Sequence, residues 1–173
     1  PENYILATIH RNNNTDDATR LNALFNAMNS IASEQKIKMV LPLHPRTSKL
    51  LAGNLSAQLY SIIKTNPYIK IIDPVSFIDM IALEKNARLI MTDSGGVQKE
   101  AFFFKKPCII LRSETEWTEL VKSGSAKVTD ANEKDIMEAY AQFMKTKRLK
   151  FPDLFGEGKA AEFICAEIVK HIN

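Results

Sequence analysis

Six short apolar runs, separated by stretches of helical periodicity, constrain this chain more than any other feature of its sequence. They are Tyr4 to Ile9, Lys38 to Leu43, Ile69 to Ile72, Arg88 to Thr92, Cys108 to Leu111 and a weaker Ala126 to Thr129. Strands alternating with helical segments produce a parallel sheet covered on both faces, because parallel neighbours need a crossover long enough to return the chain. The expected fold is therefore α/β, three layers around a parallel sheet of about six strands. Between the first two runs, Leu21, Leu24, Phe25, Met28, Ile31 and Ala32 recur at steps of three and four, with Thr15 or Asp16 available as a cap. Ser76-Phe77-Ile78-Asp79 after Pro74 has the form of a capping box with Asp in place of Glu, and it starts a helix through Leu83. Asn132 to Met144 and Ala160 to Ile172 supply the last two helices.

Right-handed crossovers put the carboxyl ends of all the strands on one rim, and open sheets bind ligands in the crevice along it. The residues just past each run are His10-Arg11-Asn12-Asn13-Asn14, His44-Pro45-Arg46, Asp73-Pro74, Asp93-Ser94-Gly95-Gly96 and Arg112. Arg88 to Glu100 reads as strand, turn, helix: Gly95 and Gly96 remove the Cβ atoms that would hold a ligand off the backbone, and the first N–H groups of the helix face an arriving anion. Ser94-Gly95-Gly96 alone fits a simple tight turn equally well. Two histidines and three arginines on the same rim favour a pyrophosphate, whose oxygens guanidinium groups grip bidentately.

At 173 residues and 45% hydrophobic content the chain suits one globular domain, 1–173. A net charge of +3 demands no nucleic acid, and the basic run Lys145 to Lys150 reads as a solvated helix end without an aromatic platform. Cys108 and Cys165 fit neither metal nor disulfide spacing and read as reduced core residues. No signal-peptide pattern and no apolar stretch near ~18 residues is present, so the expectation is a cytoplasmic protein with no membrane segment. The start at Pro1 suggests a piece excised from a longer protein.

Several of these residues carry a family resemblance over nearly the whole chain. They are Thr8-Ile9-His10-Arg11, His44-Pro45, Thr92 to Glu100, Lys106-Pro107, Leu111-Arg112 with Glu114-Thr115-Glu116, and Phe155-Gly156-Glu157-Gly158. In these motifs and their order, the chain resembles the C-terminal half of the non-hydrolysing UDP-N-acetylglucosamine 2-epimerases. The resemblance implies a Rossmann-like domain, one half of a B-type glycosyltransferase-like (GT-B) fold, that holds UDP while the absent N-terminal half carries most of the acid and base chemistry. The reaction it implies inverts C2 of the sugar by elimination and re-addition of UDP across C1 and C2, with no redox cofactor and no metal site. It implies that Ser94, Gly95 and Gly96 bind the pyrophosphate and Glu100 the ribose hydroxyls. Arg11, His44, Met80 and Arg112 complete the UDP site, with Met80 near the uracil, and His10 either contacts phosphate or relays a proton. Without the resemblance, Glu100 reads as an exposed helical carboxylate. A homodimeric full-length enzyme making precursors of surface polysaccharide is also implied.

Two departures from the family pattern bear on the substrate. Asn13 stands where many members carry Glu, and Arg112 to Trp117 reads Arg-Ser-Glu-Thr-Glu-Trp where the N-acetylglucosamine enzymes more often show Thr-Thr-Glu-Arg-Pro. Together with His44-Pro45-Arg46-Thr47 this leans toward the branch acting on diacetamido-sugar uronates. A B-type glycosyltransferase, which needs an acceptor, and a non-catalytic sugar-nucleotide-binding module are the readings from other classes. Alone, the chain is expected to fold and bind UDP weakly without epimerase activity. The last helix is expected to cross toward the missing half and to expose apolar surface here.

Overall fold

The computed structural model describes residues 3–156 and 158–172. Six parallel strands form one sheet in the order β3-β2-β1-β4-β5-β6. They are β1 (Tyr4–Thr8), β2 (Lys38–Pro42), β3 (Ile69–Ile72), β4 (Leu89–Thr92), β5 (Cys108–Ile110) and β6 (Ala126–Val128). The expected runs are all strands, most of them ending one residue earlier than their apolar composition suggests. From β1 the chain winds outward to β3 in one direction and then returns to β4 and winds the other way. The reversal lies between β1 and β4, whose residues pair from Ile5 with Leu89 to Thr8 with Thr92. An open sheet of this kind has its crevice at that reversal.

Alternation along the strands sorts the core into two layers. Ile5, Ala7, Leu89, Met91 and Ile109 face one side, where they meet α2 (Ala18–Glu34), α3 (Pro45–Asn54), α4 (Ala57–Thr65) and α8 (Glu133–Lys145). Tyr4, Leu6, Ile90, Cys108 and Ile110 face the other, against α5 (Phe77–Asn86), α6 (Gly95–Phe103) and α7 (Thr118–Lys122). The predicted stripe of α2 is buried in full, but its cap is Asp17, whose side chain accepts from the amides of Thr19 and Arg20. Thr15 and Asp16 instead belong to, or end, the short α1 (Asn12–Thr15). Ser76 caps α5 as predicted, donating to Asp79 at 2.6 Å.

Periodicity alone did not disclose α3 and α4. Each is short and buries only two residues, Thr47 and Leu51 in one and Leu59 and Ile63 in the other, so neither shows a long apolar stripe. The final helix, α9 (Ala160–Ile172), has the predicted span but buries none of its residues. Cys108 is buried as expected, whereas Cys165 on α9 is exposed and is not a core residue, because none of the described residues covers that helix face. Among the described residues no helix is long and apolar enough to cross a membrane.

Candidate functional site

Asp93 organises the crevice from beneath. It is fully buried just past β4, and its carboxylate accepts from the amides of His10 (3.0 and 3.1 Å) and Arg11 (3.0 Å) and from Asn14 Nδ2 (3.0 Å). A buried charge is tolerated only when such donors answer it. Asn14 Nδ2 also donates to the Leu111 carbonyl, while Asn14 Oδ1 accepts from Arg20, which in turn pairs with Asp130. The turns after β1, β4 and β5 are thereby tied into one rigid rim. Beside them, the Thr8 and Thr92 hydroxyls share a hydrogen bond of 2.6 Å, and Thr92 Oγ1 accepts the Ser94 amide.

Above this network α6 presents its N-terminus. Ser94 is the cap, its Oγ accepting from the Val97 amide, and the amides of Gly95 and Gly96 have no partner within the helix. A Cβ on Gly96 would meet nothing closer than Ser94 Oγ at 3.8 Å, so this glycine leaves room for a ligand. On Gly95 a Cβ would collide with Glu116 Oε1. That carboxylate also accepts from Arg112 at 2.7 Å, and its pKa is held low by hydrogen bonding to its own amide and by the Arg112 and Arg11 charges, against a smaller opposing effect of burial. Trp117 Nε1 donates to the Gly95 carbonyl at 2.8 Å, and Lys99 lies over the rings of Trp117 and Phe155. Thr115 donates to the buried Gln98 at 2.6 Å. These contacts clamp the segment after β5 onto α6.

Two clefts share His10. One, of about 540 Å³, is lined by His10, Arg11, Asn12, Ser94, Gly95, Gly96, Glu116 and Trp117, with Asp93 in its floor. The other, of about 320 Å³, is lined by His10, Pro42, His44, Arg46, Thr47, Pro74, Val75 and Met80 and is the more apolar. A donor-rich cleft joined to an apolar one matches the two ends of a nucleotide. A broader depression of about 720 Å³ on the far side of the β1–α1 turn is lined by Asp16, Asp17 and Arg20 among others. With Arg20 engaged by Asp130, its wall is unsuited to an anion.

Of the residues singled out from sequence, His10, Arg11, His44, Met80, Ser94, Gly95 and Gly96 line the two clefts. Arg112 sits beside them on Glu116. Arg46 is not a free phosphate clamp, since it forks onto Asp16 at 2.8 and 2.9 Å and reaches Asn12 at 2.7 Å. His44 caps α3, its Nδ1 accepting from the Arg46 amide at 3.3 Å. Glu100 lines neither cleft but lies one turn along α6 from Gly96, half-buried rather than exposed. Glu157 lies outside the described residues, but Gly156 and Gly158 on either side have φ of +70° and +79°, a conformation that accounts for both glycines. The sequence placed Asn14 on the rim and Gln98 in the motif around the double glycine without indicating that either is buried, and it did not single out Glu84, a buried helical carboxylate that no local pattern announces. Among the described residues, no group of three or more His, Cys, Asp and Glu is placed to hold a metal.

Known proteins share this sequence pattern and fold. Residues 1–169 match the family model described as UDP-N-acetylglucosamine 2-epimerase. A UDP-N-acetylglucosamine 2-epimerase homolog of Methanococcus maripaludis is 41% identical over 98% of the chain, and a UDP-2,3-diacetamido-2,3-dideoxy-D-glucuronate 2-epimerase of Pseudomonas aeruginosa is 39% identical over 98%. The chain spans about 45% of the length of each. The Methanocaldococcus jannaschii UDP-GlcNAc 2-epimerase solved with UDP-GlcNAc and UDP superposes with a TM-score of 0.83 at 38% identity, over 96% of this chain and 45% of that one. A fold-level likeness extends to an E. coli heptosyltransferase solved with ADP, with a TM-score of 0.57 at 12% identity over 83% of this chain and 43% of that one.

Proposed function

Because the chain belongs to the UDP-N-acetylglucosamine 2-epimerase family, we propose that it is the UDP-binding half of a UDP-N-acetyl-sugar 2-epimerase. The observation that carries this reading is the pair of clefts meeting at His10, one opening on the bare N-terminus of α6 and the other apolar. The pyrophosphate lies against the Gly95 and Gly96 amides and Ser94, within reach of Arg11, His10 and Arg112. Uracil enters the apolar cleft beside Met80 and His44, and Glu100 takes the ribose hydroxyls.

In the reaction, a base from the other half of the enzyme removes the C2 proton, the C1–O bond breaks, and its electron pair leaves with UDP. Negative charge then accumulates on the β-phosphate, where the α6 amides and the guanidinium groups stabilise it more than they stabilise the bound substrate. Re-addition of UDP to the unsaturated sugar, with a proton returned to the other face of C2, gives the epimer. His10 contacts the phosphate, a role that its position in the lining of both clefts supports. The Asp93 network supports this chemistry by holding the His10 and Arg11 backbone fixed, so the donors need no rearrangement as charge develops.

Arg112 to Trp117 favours a diacetamido-sugar uronate as the substrate, a reading the relative from Pseudomonas aeruginosa supports. Family membership supports a cytoplasmic homodimer for the whole protein. The unburied α9, with Phe163, Ile164, Ile168, Val169 and Ile172 exposed, supports a missing half that covers it. The test is to assay the full-length protein on UDP-N-acetylglucosamine and on the UDP-diacetamido uronate. Acceptor-independent epimerisation of either supports the function, turnover of the first alone ends the uronate assignment, and UDP release only with an acceptor makes it a glycosyltransferase.

A further inference from the structure

Glu84 has no place in the chemistry above, yet it is the most unusual side chain near it. It lies on α5 and is fully buried, and among the described residues neither carboxyl oxygen receives a hydrogen bond from a donor. The groups facing it are the Glu100 carboxyl from α6 and the Cys108 thiol from β5, which burial keeps protonated. From β1, the Tyr4 hydroxyl donates to the carbonyl of the adjacent Leu83 at 2.6 Å.

As an anion Glu84 would be a buried charge without an answering donor, facing a second carboxylate. Two carboxyls in that position resist ionising together, and the pair is satisfied when the buried one keeps its proton and donates it to the other. Burial, followed by the Glu100 charge and the hydrogen bond to it, pushes the Glu84 pKa up to about 8. The protonated form is the one that this burial accommodates, and in it Glu84 is a hydrogen-bond donor.

Its place in the fold gives that donor a use. Glu84 is one helical turn from Met80, which lines the apolar cleft, and Glu100 is one turn from Gly96, which lines the donor-rich cleft. The carboxyl pair thus joins the two helices that flank the crevice, one turn in from its rim. A carboxylate that takes a diol needs a fixed orientation, because both of its hydrogen bonds are lost if it rotates.

We infer that Glu84 is a positioning residue for the ribose, a buried carboxylic acid that donates to Glu100 and holds that carboxylate toward the two ribose hydroxyls of the nucleotide. This role rests on the rim holding UDP, and adds the residue that fixes how the sugar ring of the nucleoside is recognised.

The test compares UDP with 2′,3′-dideoxy-UDP in the full-length protein, wild type, Glu84→Gln and Glu84→Met, across pH 6 to ~9.5. Wild type prefers UDP, and the preference shrinks as pH rises past the Glu84 pKa and the two carboxylates repel. Glu84→Met, which has no donor, binds UDP about ten-fold more weakly but dideoxy-UDP unchanged, so the latter also reports that the variant is folded. Glu84→Gln, whose amide still donates, keeps the preference and loses its pH dependence. Unchanged preference in Glu84→Met overturns the inference and leaves the UDP site standing. Equal binding of the two ligands by wild type removes the ribose role of Glu100, and this inference with it. No binding of either by wild type overturns the UDP site itself.

Discussion

The carboxyl rim of the sheet and the helix α9 are opposite cases of polar and apolar surface in one molecule. At the rim, buried Asp93 and Asn14 are fully engaged, and the donors left open point into a cleft. On α9 the side chains are mostly apolar, yet none is buried. Helix α8 shows that the fold can cover such a face, since Ile136, Ala139, Tyr140 and Phe143 are buried against the sheet and α2. On the proposed function the rim is the nucleotide site and α9 meets the other half of the enzyme, so the chain should bind UDP without completing the reaction.

The largest expected effect follows from that contrast. On the proposed function the chain alone should show epimerase activity at least ~10⁴-fold below the full-length protein, since that reading assigns to the other half the acid and base groups, which each contribute ~10²–10⁴. A coupled assay of C2 inversion on both proteins checks this. Next, Asp93→Ala strands the His10 and Arg11 amides and the Asn14 side chain, and should destabilise the chain by about 2–4 kcal/mol in urea unfolding. By contrast, Phe163→Ser with Ile168→Ser on α9 should change the stability of the isolated chain by less than ~0.5 kcal/mol while reducing self-association in sedimentation. A cost comparable to that of Asp93→Ala would mean that α9 is already packed, and the contrast would fail.

Gly95→Ala sharpens the rim side of the comparison. Its Cβ must displace Glu116 and loosen the Arg112 pair, and about ten-fold weaker UDP binding by calorimetry is expected. A pH-dependent effect is expected at Asp130, whose pKa is lowered first by its hydrogen bond to Arg20, an effect that outweighs the opposing one of burial. A depressed carboxylate pKa stabilises the fold fully above its ordinary value of 3.8 and loses that contribution as pH falls below it. Asp130→Asn should therefore unfold more easily than wild type at pH 7 by about 1 kcal/mol, with the difference vanishing in acid.

The sheet was legible in the sequence because its strands are continuous apolar runs, and α2 because its stripe spans several turns. The cap of α2 was misplaced by one or two residues, since Thr15, Asp16 and Asp17 are all chemically able to cap and only the entry angle set by α1 selects Asp17. The double glycine and its flanking residues come together at the crevice because strand order forces those turns together. Which groups stay open there was not legible. Arg46 and Asp16 lie far apart in sequence, and their ion pair depends on how α3 meets α1. Glu84 looks like any helical carboxylate until α5 and α6 close over it.

A titration of the ¹⁵N-labelled chain with UDP, followed by amide chemical shifts, tests the central claim most directly. Shifts that saturate and cluster on Ser94 to Glu100, His10, Met80 and Arg112 are the predicted result, with residues 160–172 of α9 unmoved. Saturating shifts confined to the depression around Asp17 and Arg20, or none at millimolar UDP in either this chain or the full-length protein, would contradict it.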